Sequence, residues 1–383
     1  MKRGIRVCPG MSAGDLREAG FEWLEMEWNN KEAFPIPPGF LGSLGVPGAA
    51  LRGPEELGQA LRAAESLGAS FLTIGTRELE TPGRVEELLA GEMGRVLASG
   101  LSVCIENGYA LRRGRPAFHS FSEGPGLRAA ADRLNALAGR RVFGTGLDME
   151  SAILLGLNPG ELARELGESL MCVGAADNGG EEPQGQMPYT FTRGRGERST
   201  DWPGLVRGLW ETGYSGPVVF RTPGLFSGLP GPLFPAMTRL LGETAREWER
   251  QLSFERRLKE AQGNLILFGC GIRFENYMTS WGGKYPPALA ADNNPAWHGK
   301  RKRGVLVAPA ERILDFDPGR RLVLICCEQY EGIGRQLREM GVDYEVYDDA
   351  YWGRYIVGSE ERYVSGRSSD KRDCGPQRAP GGV

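Results

Sequence analysis

The chain of 383 residues is long enough for one large domain with a smaller one, or for two ordinary domains. Hydrophobic residues make up 40% and charged residues 25%, the balance of a soluble globular protein, and a formal net charge of −3 supplies no global field for nucleic acid or an anionic membrane. No apolar run approaches a membrane span, MKRGIRVCPGMSAGD has no signal-peptide apolar region, and seven scattered cysteines read as reduced, buried thiols, so the expected location is cytoplasmic.

In chain order, the strand-like runs are IRVC (5–8), EWLEME (22–27), the stretch around GSLGV (42–46), FLTIG, SVCIE (102–106), FGTGLD (143–148), LMCVGA (170–175) and VVFR (218–221). Helical segments such as PEELGQALRAAESLGA and RVEELLAGEMGRVLASG lie between them, with Leu and Ala at i, i+3, i+4 and i+7. Each parallel crossover needs a helix, so eight such runs predict a closed (β/α)₈ barrel over residues 1–250. Residues 29–50 are too rich in Pro and Gly for a full helix, and one is expected to be short or missing there. Residues 234–262 read as one long charged helix, whose last part, 251–262, links to a second, smaller α/β domain over 263–350. Residues 351–383 have few large apolar side chains and are expected to be largely disordered.

In a parallel barrel the site forms where strands end, so the last residues of the runs are informative: Glu25 and Glu27, Glu106, Asp148, Asp177 and Arg221. Glu25 and Glu27 are read as facing opposite sides of their strand, with one entering the barrel. The stretches SVCIENG, GTGLDMESA, MCVGAADNGG and TDWPGLVRGLWETGYSGPVVFRT resemble the xylose-isomerase-like sugar phosphate isomerase/epimerase family. That resemblance implies a Mn²⁺ or Mg²⁺ ion held by a Glu of strand five, an Asp of strand six, a His of strand seven and a Glu of strand eight. Glu106 and Asp148 stand at the first two positions, but the third falls near Gly174 and the fourth is Arg221. The histidine that usually follows the Asp by three residues is Ser151. A fixed cation both repels a metal and competes for its carboxylates, so no metal is expected and Glu106 and Asp148 are remnant ligands.

Three roles stand open for Arg221: a counter-charge to the carboxylates, an electrophile in the metal's place, or a clamp for an anionic ligand. Glu106 and Asp148 read as an acid/base pair for isomerisation or epimerisation. Glu25, Asp177, Arg193 and Arg195 are candidate substrate contacts, the two arginines with Arg198 in the loop TRGRGERSTDW. Asp177 has the alternative of capping the next turn, and His119 is read as a surface loop residue. In the second domain FGCGIRF is one glycine short of the dinucleotide fingerprint. With the following DNN it resembles small Rossmann-like domains of bacterial sugar- and polysaccharide-modifying enzymes. Gly269, Gly271 and Asp292 are its candidate nucleotide contacts. The leading expectation is a carbohydrate isomerase/epimerase without the family metal, acting on a small sugar or sugar-derived anion, with no nucleic acid or membrane partner. The alternatives are a non-catalytic barrel that binds a sugar, nucleotide sugar or protein, and a lyase or dehydratase on the same barrel.

Overall fold

The computed structural model describes residues 1–30, 41–191 and 200–352. Eight strands, β1 (Lys2–Arg6), β2 (Trp23–Glu27), β3 (Leu41–Pro47), β4 (Phe71–Gly75), β5 (Ser102–Glu106), β6 (Phe143–Asp148), β7 (Leu170–Ala175) and β8 (Pro217–Phe220), form one closed barrel. Every neighbouring pair is parallel, and β1 closes the ring against β8. Strands buried on both faces explain the near-continuous apolar runs: all six residues of β6 are buried. Inside the barrel, Trp23, Phe71, Cys104, Cys172 and Val219 pack into one apolar layer beneath the mouth.

The first strand is shifted from the expected IRVC: it starts at Lys2 and ends on Arg6. Between β2 and β3 the described residues hold only a single 3₁₀ turn, Trp28–Asn30. Helix starts carry their own signals, with Pro in the first turn and the side chains of Asn158 and Asp201 accepting from Glu161 and Gly204 N–H. The helices Pro159–Leu166 and Trp202–Glu211 touch backbone to backbone. A Cβ on Gly160 would lie 2.5 Å from the Gly204 carbonyl oxygen, and one on Gly208 2.6 Å from that of Gly160. The expected single helix over 234–262 is two, Phe234–Leu252 and Phe254–Glu260, broken at Ser253.

The described chain divides into two compact units, with the boundary between Ser253 and Phe254. The second holds a sheet of β9 (Leu265–Phe268), β10 (Leu289–Ala291), β11 (Arg301–Lys302), β12 (Val305–Ala308), β13 (Leu322–Ile325) and β14 (Glu345–Val346), in the order β11-β12-β10-β9-β13-β14. Within this sheet only β11 and β12 pair antiparallel. Ile266, Phe268, Val323 and Ile325 lie in its core, and Phe254 stacks on Trp352 with ring centroids 5.9 Å apart. No helix among the described residues is long and apolar enough to cross a membrane.

Candidate active site at the barrel mouth

Period-two alternation sends Arg6, Glu25, Glu106, Asp148 and Arg221 inward at the carboxyl ends of their strands. Arg221 follows β8 directly and continues its ladder, its N–H donating to the Ala175 carbonyl at 2.9 Å. Its guanidinium forks onto Glu25, with Nε to Oε1 at 2.8 Å and Nη2 to Oε2 at 2.6 Å. Nη2 also lies 2.6 Å from Glu106 Oε1, and Nη1 3.9 Å from Asp148 Oδ1. The Arg221 side chain is only 3% exposed. The structure thus brings together four expected residues, Glu25, Glu106, Asp148 and Arg221. It also gives Arg221 a principal partner, Glu25, that the strand ends alone do not predict.

Two further arginines complete the network. Arg6 Nε donates to Glu25 Oε1 at 2.6 Å. Arg77, two residues past β4, forks onto Asp148 with two bonds of 2.6 Å and holds Glu150 Oε2 at 2.8 Å. Glu150 Oε1 in turn accepts from the N–H groups of Gln184 and Gly185, fixing the loop after β7. Ser151 donates to Asp148 Oδ2. The Asn107 amide brackets the Asp148 backbone, accepting from its N–H and donating to its carbonyl. Contrary to expectation, Glu25 and Glu27 share one face, because residues two apart on a strand point the same way. Both turn toward Arg6, which lies 4.0 Å from Glu27 Oε1.

Glycines make room for these long side chains. A Cβ on Gly174 would lie 2.5 Å from Arg221 Nη1 and 2.7 Å from its Cζ, and one on Gly146 would lie 2.6 Å from Glu106 Cγ. Gly174→Ala should therefore displace the guanidinium and cost about 2 kcal/mol, within the usual range for overpacking. The urea midpoint at pH 7 checks this. The penalty should vanish in an Arg221→Ala background, where the added methyl has room.

The network drives its carboxyl groups apart. Burial raises Glu106, and the nearby Arg221 charge only partly offsets this. Its Oε1 has no aligned donor among the described residues. Burial also opposes ionisation of Asp148, but Arg77 outweighs it and holds the carboxyl down at about 2. Glu25 is likewise held below the usual range, since Arg221 and Arg6 outweigh its burial. A lowered carboxyl stabilises the fold above its unfolded value and loses that contribution as pH falls through the folded value. From 3.8 to about 2, Asp148 contributes about 2 kcal/mol. Unfolding free energies of the parent should fall steeply between about pH 4 and 2, and Asp148→Asn should flatten that limb.

Other expected contacts lie elsewhere. Asp177 is fully buried and tied into its own loop: Oδ1 accepts from Asn178 N–H and Thr200 Oγ1, and Oδ2 from Phe191 N–H. A sugar hydroxyl would have to displace these donors, so the capping alternative fits its geometry. His119 is half-buried rather than on the surface. Its Nδ1 accepts from Phe121 N–H, which leaves Nε2 to donate to the Thr76 carbonyl at 3.0 Å. Arg193, Arg195 and Arg198 lie outside the described residues. In the second unit, Gly269 takes φ +97°, and Asp292 accepts from Cys270 N–H at 2.9 Å and Asn294 N–H at 2.8 Å. Both Asp292 oxygens thus bind the chain's own backbone rather than standing open to a ribose. Gly271 precedes the helix Ile272–Ser280, with nothing within 4 Å of its Cβ direction.

No family model matches the chain, and no curated protein does. Among solved structures the chain is similar to an L-ribulose 3-epimerase, at 17% identity and TM-score 0.48, over 68% of this chain and 97% of that one. It is similar to a D-psicose 3-epimerase from Clostridium cellulolyticum H10, solved with D-tagatose, at 14% identity and TM-score 0.45, over 64% of this chain and 99% of the other. A xylose isomerase domain protein from Alicyclobacillus acidocaldarius subsp. acidocaldarius matches at 18% identity and TM-score 0.44, over 65% and 98%.

Proposed function

We propose that the barrel mouth is a carbohydrate site of the isomerase type that works without a metal, with Glu106 as the proton-moving group. The observation that carries this reading is an asymmetry among four buried carboxyl groups. Glu25 and Asp148 have both oxygens hydrogen-bonded, and Glu150 has one oxygen on backbone donors and the other ion-paired with Arg77, whereas Glu106 meets Arg221 as an ion pair and its Oε1 has no aligned donor among the described residues. A carboxyl raised by burial is, once ionised, a stronger base than an ordinary carboxylate.

The residues do not fit a divalent ion. A cation among Glu25, Glu106 and Asp148 would stand against the Arg221 guanidinium, which already forks onto Glu25. At strand seven Gly174 offers no donor, and the guanidinium lies across the space where a side chain would start. Arg221 is too engaged to clamp an anion as well, so its part is that of a fixed positive charge beside a developing enediolate. In this scheme the ionised Glu106 takes the proton from the carbon next to a sugar carbonyl, and the electron pair moves onto the carbonyl oxygen. Glu106 then returns the proton to the former carbonyl carbon, while the proton of the adjacent hydroxyl passes to the enediolate oxygen, so that this hydroxyl becomes the new carbonyl and the old carbonyl becomes a hydroxyl. Epimerisation needs a second group on the opposite face. Asp148, locked ionised by Arg77, is poorly suited to that task, which favours a single-base shuttle over the expected acid/base pair.

The test is solvent exchange. Incubating a panel of aldoses and ketoses with the protein in D₂O should place deuterium at the carbon next to the carbonyl, as read by proton NMR. Binding without any exchange would overturn the reading in favour of a non-catalytic barrel. The pairing of Asp148 on both oxygens is the observation that favours that alternative.

A further inference from the structure

Between β5 and the helix Gly124–Ala138 a small hairpin rises on the mouth side of the barrel, its strands Ala110–Arg112 and Arg115–Ala117. Its root is fixed. Tyr109 is buried, Ser122 donates to the Gly108 carbonyl, and His119 reaches across to Thr76, next to Arg77. The tip is open, with residues 111–115 all exposed. Arg113 and Gly114 form a two-residue loop with φ +54° and +74°, a conformation favourable for Gly but unusual for Arg.

Arg112 pairs directly with Arg115 across the strands. Two like charges facing each other on a two-stranded ribbon are destabilising unless something negative lies between them. No carboxylate of the described residues pairs with Arg112, Arg113 or Arg115, in contrast to the mouth, where Arg6, Arg77 and Arg221 are all taken. Leu111 and Phe118, 38% and 46% exposed, flank this cationic tip with apolar surface.

We propose that the hairpin Ala110–Ala117 is an anion-binding extension of the mouth, which holds the carboxylate, sulfate or phosphate groups of an acidic saccharide longer than one ring. This deepens the reading of the mouth as a sugar site and rests on it for the identity of the ligand. The buried network already pairs Arg6, Arg77 and Arg221 with Glu25, Glu106, Asp148 and Glu150, so no cation there is left to hold a charged group of the ligand; the reacting ring is uncharged and the negative groups stay outside on the hairpin. Phe118 offers an apolar platform to the C–H face of a neighbouring ring.

The test compares the full-length protein with a triple variant, Arg112→Thr, Arg113→Asn and Arg115→Thr. Asn-Gly suits this loop and a facing Thr pair suits the strands, so the variant should fold and unfold at the parent's temperature or above. The probes are polygalacturonate oligomers, sulfated dextran, neutral dextran of equal length, inorganic phosphate and single-stranded RNA, followed by calorimetry at two salt concentrations. Carboxylate- and sulfate-bearing saccharides should bind the parent in a salt-sensitive way and bind the variant at least about tenfold more weakly. Neutral dextran should not distinguish the two, and the phosphate arm shows whether an isolated anion is enough. Equal binding of acidic saccharides to both proteins would overturn the proposal, as would hairpin-dependent binding of RNA alone. Hairpin-dependent binding of acidic saccharides without deuterium exchange on any sugar would leave the hairpin standing and remove the catalytic reading of the mouth.

Discussion

Replacing Arg221 with Ala should cost the barrel about 3–5 kcal/mol, the usual consequence of leaving buried charges without their partner. Glu25 loses the fork that holds both of its oxygens, and Glu106 loses its nearest cation. For a unit of this size each kcal/mol lowers the melting temperature by about 2–4 °C, so a fall of roughly 10 °C is expected. The same variant should acquire a property that the parent lacks. With the guanidinium gone, Glu25, Glu106 and Asp148 surround a space that is hard, anionic and lined by oxygen. Mn²⁺ or Ca²⁺ should then raise the variant's melting temperature and leave the parent's unchanged. A variant as stable as the parent would mean that Arg221 does not neutralise this cluster. A parent stabilised by Mn²⁺ would mean that a metal has room beside it.

Replacing Glu106 with Gln should abolish chemistry while improving the fold. The amide keeps the shape but cannot carry the proton, so deuterium exchange should fall by about 10²–10⁴, the range lost with a general base. Stability moves the other way, and its sign follows from the direction of the shift. A carboxyl raised in the folded state contributes its stability at low pH and loses it as pH rises through the raised value. Gln removes that loss, so the variant should be more stable than the parent at pH 8 and gain nothing near pH 4. Urea unfolding at the two pH values measures this. A more stable but inactive variant would mark Glu106 as a residue kept for function at the expense of the fold. Unchanged exchange would remove Glu106 from the mechanism.

The barrel is legible in the sequence because its pattern is redundant: eight apolar runs with helical stretches between them tolerate errors of a few residues at each end. The site is less tolerant. The last residue of each run leads to Glu106 and Asp148, whose strands end where the pattern says, and to Arg221, one residue past the end of its strand. Arg6 escapes that rule because the apolar run continues to Cys8, whereas the strand ends on the arginine. Arg77 escapes it because it lies two residues beyond β4, in a loop, although an arginine just past a buried strand is the same signal that marks Arg221. Glu150 stands within GTGLDMESA without standing out, since its role depends on a loop from another strand. The parity of Glu25 and Glu27 is available from strand geometry alone. The pairing of Arg221 with Glu25, 196 positions apart, is not, because it depends on how the barrel closes.

Gly174 and Arg221 are coupled in one direction. Arginine at 221 requires glycine at 174, because a side chain there collides with the guanidinium, whereas the arginine itself answers to the acids around it whatever stands at 174. Mutational scans that change one position at a time will therefore score Gly174 as intolerant in its own right, although its constraint is inherited from its neighbour. The two positions are epistatic, and a larger residue at 174 becomes admissible only once the arginine has gone.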